Sequence, residues 1–168
     1  MLYSFFCLLL ALAAFGRADE NWSLGYQSPL GEKEKVLEML NSTTGGPYTY
    51  SQSKHHFSGA GFDGSKIDTY GACSGAAGSC RNNPSCQCKP NVGPLPQGTY
   101  TLGNMMEFHG MPYCYVLYPN SGTNMCGRSG FLIHGGGCSG DPSEGCIVIE
   151  DQNIRYKIKS GATLKVVP

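Results

Sequence analysis

Charge is scarce in this chain and balanced: twelve Lys and Arg stand against twelve Asp and Glu in 168 residues, for a formal net charge of zero. The two signs are mixed along the sequence. No basic stripe forms, so nucleic acid is not expected as a partner. No internal repeat is visible, and beyond the first residues no apolar run is long enough to span a bilayer. The opening run, MLYSFFCLLLALAAFGRA, lacks a basic side chain ahead of its apolar stretch. It is short for a membrane span, closes on the small residues Gly16 and Ala18, and leads into polar DENWS. These features predict a cleaved signal peptide over 1–18 rather than a membrane anchor. About 150 residues then remain, enough for one domain with a real core. Asn21 and Asn41 each begin an N-glycosylation tripeptide.

Cysteine and glycine are plentiful, with 9 and 24 residues. Cys7 leaves with the signal peptide, and the other eight, from Cys73 to Cys146, read by default as disulfides of an oxidising compartment. Their number constrains any chemistry. If one thiol is kept reduced, at least one other must also be unpaired or bonded outside the chain.

The N-terminal segment 19–47 holds a candidate short amphipathic helix over 31–41, with Val36, Leu37 and Leu40 on one side. Strand-like runs follow at 48–53, 98–103, 113–119, 130–135, 146–150 and 162–167, each bounded by turn-forming residues. Tyr100, Tyr113, Tyr115 and Tyr118 read as half-buried strand residues. Segment 71–97 lacks periodicity and carries four cysteines, which predicts a long disulfide-pinned loop. Asp151 is placed to cap a short helix over 152–159, with Gly161 at its exit. The expected fold is mainly β, a barrel or sandwich with one or two short helices, stabilised by disulfides.

His134 ends one apolar run and Cys146 begins the next, separated by GGGCSGDPSEG. Antiparallel pairing of the two strands would bring imidazole and thiol to one edge, where facing Cβ atoms lie about 5 Å apart. A nearby imidazole turns a modest thiol into a nucleophile. The N–H groups of Gly145 and Cys146 are the candidate donors to a developing oxyanion. The same residues also fit a hydrogen-bonded structural histidine and a disulfide from Cys146 to Cys138; a bond from Cys138 to Cys126 would instead leave Cys146 free. A zinc site from His134, Cys138 and Cys146 matches no familiar spacing. His55 and His56, beside a strand, read as solvated side chains rather than ligands, and His109 lies in a turn-like FHGMP with no evident partner.

The run GRSGFLIHGGGCSGDPSEGCIVIED resembles the active-site signature of the L,D-transpeptidase catalytic domain: Ile133-His134-Gly135, a glycine-rich loop, then Ser143-Glu144-Gly145-Cys146 and apolar residues. GPLPQGTYTLG (93–103) resembles that family's strand entry, and NIRYKIKSGATLKVV its helix, turn and last strand. YTYSQSKHHF (48–57) is similar to the opening of the compact branch delivered as toxins by type VI secretion. The likeness covers 48–167 and departs at 71–92, a cysteine-rich insertion within the expected catalytic domain of 48–168. It implies an L,D-transpeptidase or L,D-carboxypeptidase acting on bacterial peptidoglycan stem peptides, with no cofactor and no metal. Cys146 then matches the nucleophile and His134 the base, while Ser143 and Gly145 shape the turn. Gly135, Arg155 and Glu144 lie where substrate would be met, although a surface ion pair suits Arg155 equally and an idle loop acid suits Glu144. Secretion, outside the cell or into a phagocytic or digestive compartment, implies an antibacterial or digestive role. A catalytically inactive muropeptide-binding module and a disulfide-rich structural secreted protein are the alternatives.

Overall fold

The structure, a computed structural model, describes residues 44–139 and 143–168 together with Leu37. The expected signal peptide, both glycosylation tripeptides and the 31–41 helix apart from Leu37 lie outside the described residues.

Among the described residues nine strands form one sheet: β1 Tyr48–Ser51, β2 His56–Ala60, β3 Lys66–Tyr70, β4 Cys73–Ser74, β5 Gly98–Phe108, β6 Met111–Pro119, β7 Leu132–His134, β8 Ile147–Val148 and β9 Thr163–Val167. Their order across the sheet is β3-β2-β1-β9-β5-β6-β7-β8-β4. The alternation of side chains along each strand selects what is buried. Tyr48 and Tyr50, Tyr100 and Leu102, Tyr115 and Leu117, and Leu164 and Val166 all point to one face and join Phe57, Ile67, Ile133 and Ile147 in a single core. A sheet this wide gathers one core only by curling on itself. The tyrosines of the middle strands therefore differ: Tyr100 and Tyr115 are fully buried, Tyr113 packs at the margin and Tyr118 is exposed. Their buried hydroxyls are satisfied, Tyr100 donating to Pro96 O and Tyr115 to Arg155 O and Ile158 O.

β5 runs on past the expected end at Gly103, because two register shifts let it follow β6 as far as the turn at His109 and Gly110. Both turn residues have positive φ, the geometry that reverses a twisted hairpin tightly. The expected helix after Asp151 is only Gln152–Tyr156 (α1), with the Asp151 carboxylate accepting the Asn153 N–H. Ile158, read as part of that helix, lies beyond it in the core.

Segment 71–97 is more than a loop. It supplies β4, which pairs antiparallel with β8 (Cys73 with Val148, Ser74 with Ile147), and a 3-10 turn at Pro84–Cys86. Asn82, buried at positive φ, takes the hydroxyl of Tyr50 and the N–H of Ser74 on its carbonyl oxygen and gives its amide to Ala72 O. A segment without apolar periodicity is thus held by polar groups and disulfides rather than by a hydrophobic face.

Candidate active site

The strands carrying His134 and Cys146 pair in parallel, not antiparallel as expected: Ile133 lies beside Ile147 and His134 beside Val148. A parallel pair needs a crossover: Cys138, after His134, is tied to Cys73 in β4 on the far side of β8, and the chain enters β8 at the end where β7 begins. Cys146 stands just before β8, next to Leu132, whose N–H donates to its sulfur at 3.3 Å. By pleat alternation, Cys146, Leu132 and His134 share the face opposite Ile133 and Ile147, so imidazole and sulfur are diagonal neighbours. Among the described residues the ring and the sulfur are not hydrogen-bonded to each other; their bonds go to Gly135 and Leu132.

The His134 Nδ1–H donates to Gly135 O at 2.6 Å, which leaves Nε2 as the proton-accepting nitrogen. Burial lowers the pKa of His134, the hydrogen bond to the Gly135 carbonyl offsets this in part, and the Arg155 charge adds a smaller downward push. Burial raises the Cys146 thiol, and the Leu132 N–H and the Arg128 charge pull it back in part. The resting pair is therefore a neutral imidazole beside a thiol. The ion pair expected from the sequence is disfavoured by burial at both partners.

Ser143 and Gly145 build the turn before the sulfur. Ser143 Oγ accepts the Gly145 N–H at 2.9 Å and donates to Cys146 O at 2.8 Å. The Gly145 N–H, expected as an oxyanion donor, is thereby occupied, because the same serine that shapes the turn consumes it. Gly145 sits at φ +135°, where an added Cβ would fall 2.4 Å from Arg128 Nη2 and 2.5 Å from Phe131 Cε1. The turn is also anchored from β4, where buried Ser74 donates to Gly145 O and accepts the Leu95 N–H.

Arg155 is neither a surface ion pair nor open to a substrate. It is buried, and its guanidinium donates to Ile149 O, Glu150 O and Pro112 O. A Cβ on Gly135 would lie 2.7 Å from its Nη2, so Gly135 leaves room for this strut. Glu144, in contrast, is exposed at the cavity that opens on Cys146. That cavity, about 340 Å³, is lined by Pro90 and Asn91 of the insertion, by Arg128 and Phe131, and by Glu144 and Cys146.

Three disulfides join Cys73 to Cys138, Cys80 to Cys86 and Cys88 to Cys126. Cys138 therefore bonds to neither candidate named from the sequence, and its sulfur cannot serve a zinc site. Among the described residues no group of three His, Cys, Asp or Glu is placed to hold a metal. Among the described residues the free thiols are Cys146, partly exposed, and Cys114, buried. Cys114 stands across β6–β7 from His134, one step along from the Tyr115–Ile133 pair, and its S–H donates to Met111 O. Three contributors escaped the sequence reading: Arg128, Ser74 and the Leu132 N–H. Arg128 alone left a trace, as the one basic side chain in the run leading to the histidine.

Residues 68–167, more than half of the chain, match the Tlde1 domain. Among solved structures the chain is similar to the L,D-transpeptidase LdtMt1 in complex with imipenem, at 16% identity and a TM-score of 0.44 over 71% of this chain and 57% of that one. It is also similar to an L,D-transpeptidase from Mycobacterium smegmatis, at 15% identity and a TM-score of 0.42 over 72% and 58%. The chain thus spans less than two thirds of the length of either structure. No curated protein matches it. The matched residues hold β4 through β9, both free thiols and His134, and on that match the chain belongs to the Tlde1 domain family, which is L,D-transpeptidase-like.

Proposed function

We propose that the chain is a secreted, peptidoglycan-modifying cysteine enzyme that cleaves or exchanges the terminal D-amino acid of stem peptides. One observation carries this reading. Cys146 is reduced and partly exposed at a cavity, diagonal to a histidine whose free nitrogen is Nε2. Three disulfides in the same domain support an oxidising compartment, and the antibacterial or digestive role is part of the same proposal.

In the proposed reaction the Cys146 sulfur attacks the carbonyl carbon of the third stem residue while His134 Nε2 takes the thiol proton. The carbonyl π-bond breaks onto oxygen, which the Cys146 N–H receives. Collapse of that oxyanion expels the terminal D-amino acid, whose amine takes the proton back from His134. The resulting thioester passes its acyl group to water (carboxypeptidase) or to an incoming amine (transpeptidase), restoring the thiol. Glu144 at the cavity is suited to the ammonium of a diamino acid in the substrate. Arg155 and Gly135 act at a distance by holding the loop that orients His134.

Disaccharide tetrapeptide incubated with wild type, Cys146→Ala and His134→Gln, with products followed by mass, tests the reading. Loss of the terminal D-alanine is expected from wild type only, together with an acyl adduct on Cys146. Equal product from Cys146→Ala overturns it, and tight muropeptide binding by wild type without turnover transfers the fold to the binding-module reading.

A further inference from the structure

We propose that Arg128 is the positioning residue of this site: it clamps the backbone of the cysteine-rich insertion onto the turn that carries Cys146, so that the insertion forms a fixed wall of the substrate cavity. This rests on Cys146 being the reactive sulfur.

The guanidinium makes four hydrogen bonds, all to backbone carbonyls. Nη1 donates to Gln87 O and Pro94 O at 2.6 Å each, and Nη2 to Gly93 O at 2.8 Å and Glu144 O at 2.6 Å. One acceptor, Gln87, belongs to the insertion, two, Gly93 and Pro94, to the segment that leaves it toward β5, and the fourth to the residue two before the sulfur. A planar fork with fixed donors suits such a set, and a point charge does not. The group also lies over the Phe131 ring, 4.9 Å from its centroid, in the gap that the missing Gly145 side chain leaves open. The Cys88–Cys126 disulfide ties the insertion covalently to the segment that carries Arg128, with Cys126 two residues ahead of it. Pro90 and Asn91, between the clamped carbonyls, are the insertion residues that line the cavity.

The clamp also bears on reactivity. Among the described residues no carboxylate is in ion-pair contact with Arg128, and its charge favours the thiolate of Cys146, although burial works against that charge and Glu144 also attracts it. The other groups facing Cys146 act differently: Glu144 is exposed at the cavity, Cys114 disfavours the thiolate, and buried His134 is held neutral. The wall thus decides which peptides reach the sulfur, and the residue that holds the wall also eases ionisation there.

The full chain tests this by the pH profile of Cys146 alkylation with iodoacetamide, mapped by mass, beside kcat and KM for a tetrapeptide. Folding is verified by thermal unfolding. Arg128→Met is expected to move the alkylation profile to higher pH and to lower kcat/KM by on the order of tenfold to a hundredfold. Arg128→Lys is expected to recover the profile but not KM, since an ammonium reaches fewer of the four carbonyls. Cys88→Ser with Cys126→Ser is expected to raise KM with the profile unmoved. A folded Arg128→Met protein with the wild-type profile and KM overturns the proposal, as does an unchanged KM in the double serine variant. Alkylation needs no turnover, so an inactive wild type with the expected profile shifts refutes the proposed function and leaves the clamp standing.

Discussion

Replacing Gly145 with alanine is the smallest change that strikes the site where three segments meet. Its backbone is at φ +135°, a conformation that disfavours an L side chain by about 1–2 kcal/mol. The new methyl would fall 2.4 Å from Arg128 Nη2, 2.5 Å from Phe131 Cε1 and 3.2 Å from Gly93 O. No single rotamer relieves all three, and overpacking of this kind costs roughly 1–3 kcal/mol more. The sum, about 2–5 kcal/mol, corresponds to a fall in Tm of roughly 5–15 °C for a chain of this size. Circular dichroism on heating reads that fall, and the tetrapeptide assay reads a loss in kcat/KM as the guanidinium leaves Glu144 O. Adding Arg128→Met removes the nearest clashing atom, so the double variant should be less destabilised than the two single changes summed. A Gly145→Ala protein melting within about 2 °C of wild type refutes the reasoning, because the crowding is then illusory.

Native protein should react with a thiol reagent at one site, Cys146, and denatured protein at two, because Cys114 is fully buried with its thiol pKa raised chiefly by that burial. Peptide mapping that finds Cys114 modified in the native state contradicts the packing of β6 against β7. Since burial lowers the His134 pKa, the acid limb of kcat/KM should fall below the ordinary imidazole value of about 6.5. The sign for stability follows: the contribution is complete above that value and is lost as pH drops through the folded pKa. His134→Gln should therefore lose less stability than wild type on acidification, as denaturant titrations at stepped pH would show. Removing the Cys73–Cys138 bond frees a loop with a sequence separation of 65. Chain entropy alone assigns that bond about 4 kcal/mol, which a Cys73→Ser, Cys138→Ser variant should lose in a denaturant titration.

The strand content was legible because period-two burial writes itself into side-chain type: Tyr48 with Tyr50, Tyr115 with Leu117, and Leu164 with Val166 declare which face is buried. The Asp151 cap was legible for a local reason too, since its partner is two residues away. Pairing direction was not. Ile133 and Ile147 pair equally well either way on composition, and the direction depends on the path of the chain between them, which passes β4, where Cys138 is bonded to Cys73. Disulfide partners depend on the whole path of the chain, and β4 is too short to show any periodicity. Arg128 passed unread and Arg155 suited a substrate contact or a surface ion pair, because sequence shows a cation's identity but not its acceptors. Both turn out to spend their donors on carbonyls, which are present at every residue and so leave no signature.

The motif alone suggests a preformed thiolate–imidazolium pair, whereas burial works against both charges. Proton transfer in the proposed reaction must then accompany attack rather than precede it, because separated charges are costly in a dry site until the substrate shares them. Under that condition the fixed groups around the sulfur gain their purpose. The Leu132 N–H and the Arg128 charge both favour negative sulfur, yet neither is strong enough to ionise it at rest. Groups that oppose burial without overcoming it contribute most as charge develops, which is how a site favours a transition state over its ground state. The insertion then has a chemical as well as a steric part. The carbonyls of Gln87, Gly93 and Pro94 hold the guanidinium in place, so the segment ahead of β5 bears on the electrostatics of a sulfur more than fifty residues downstream.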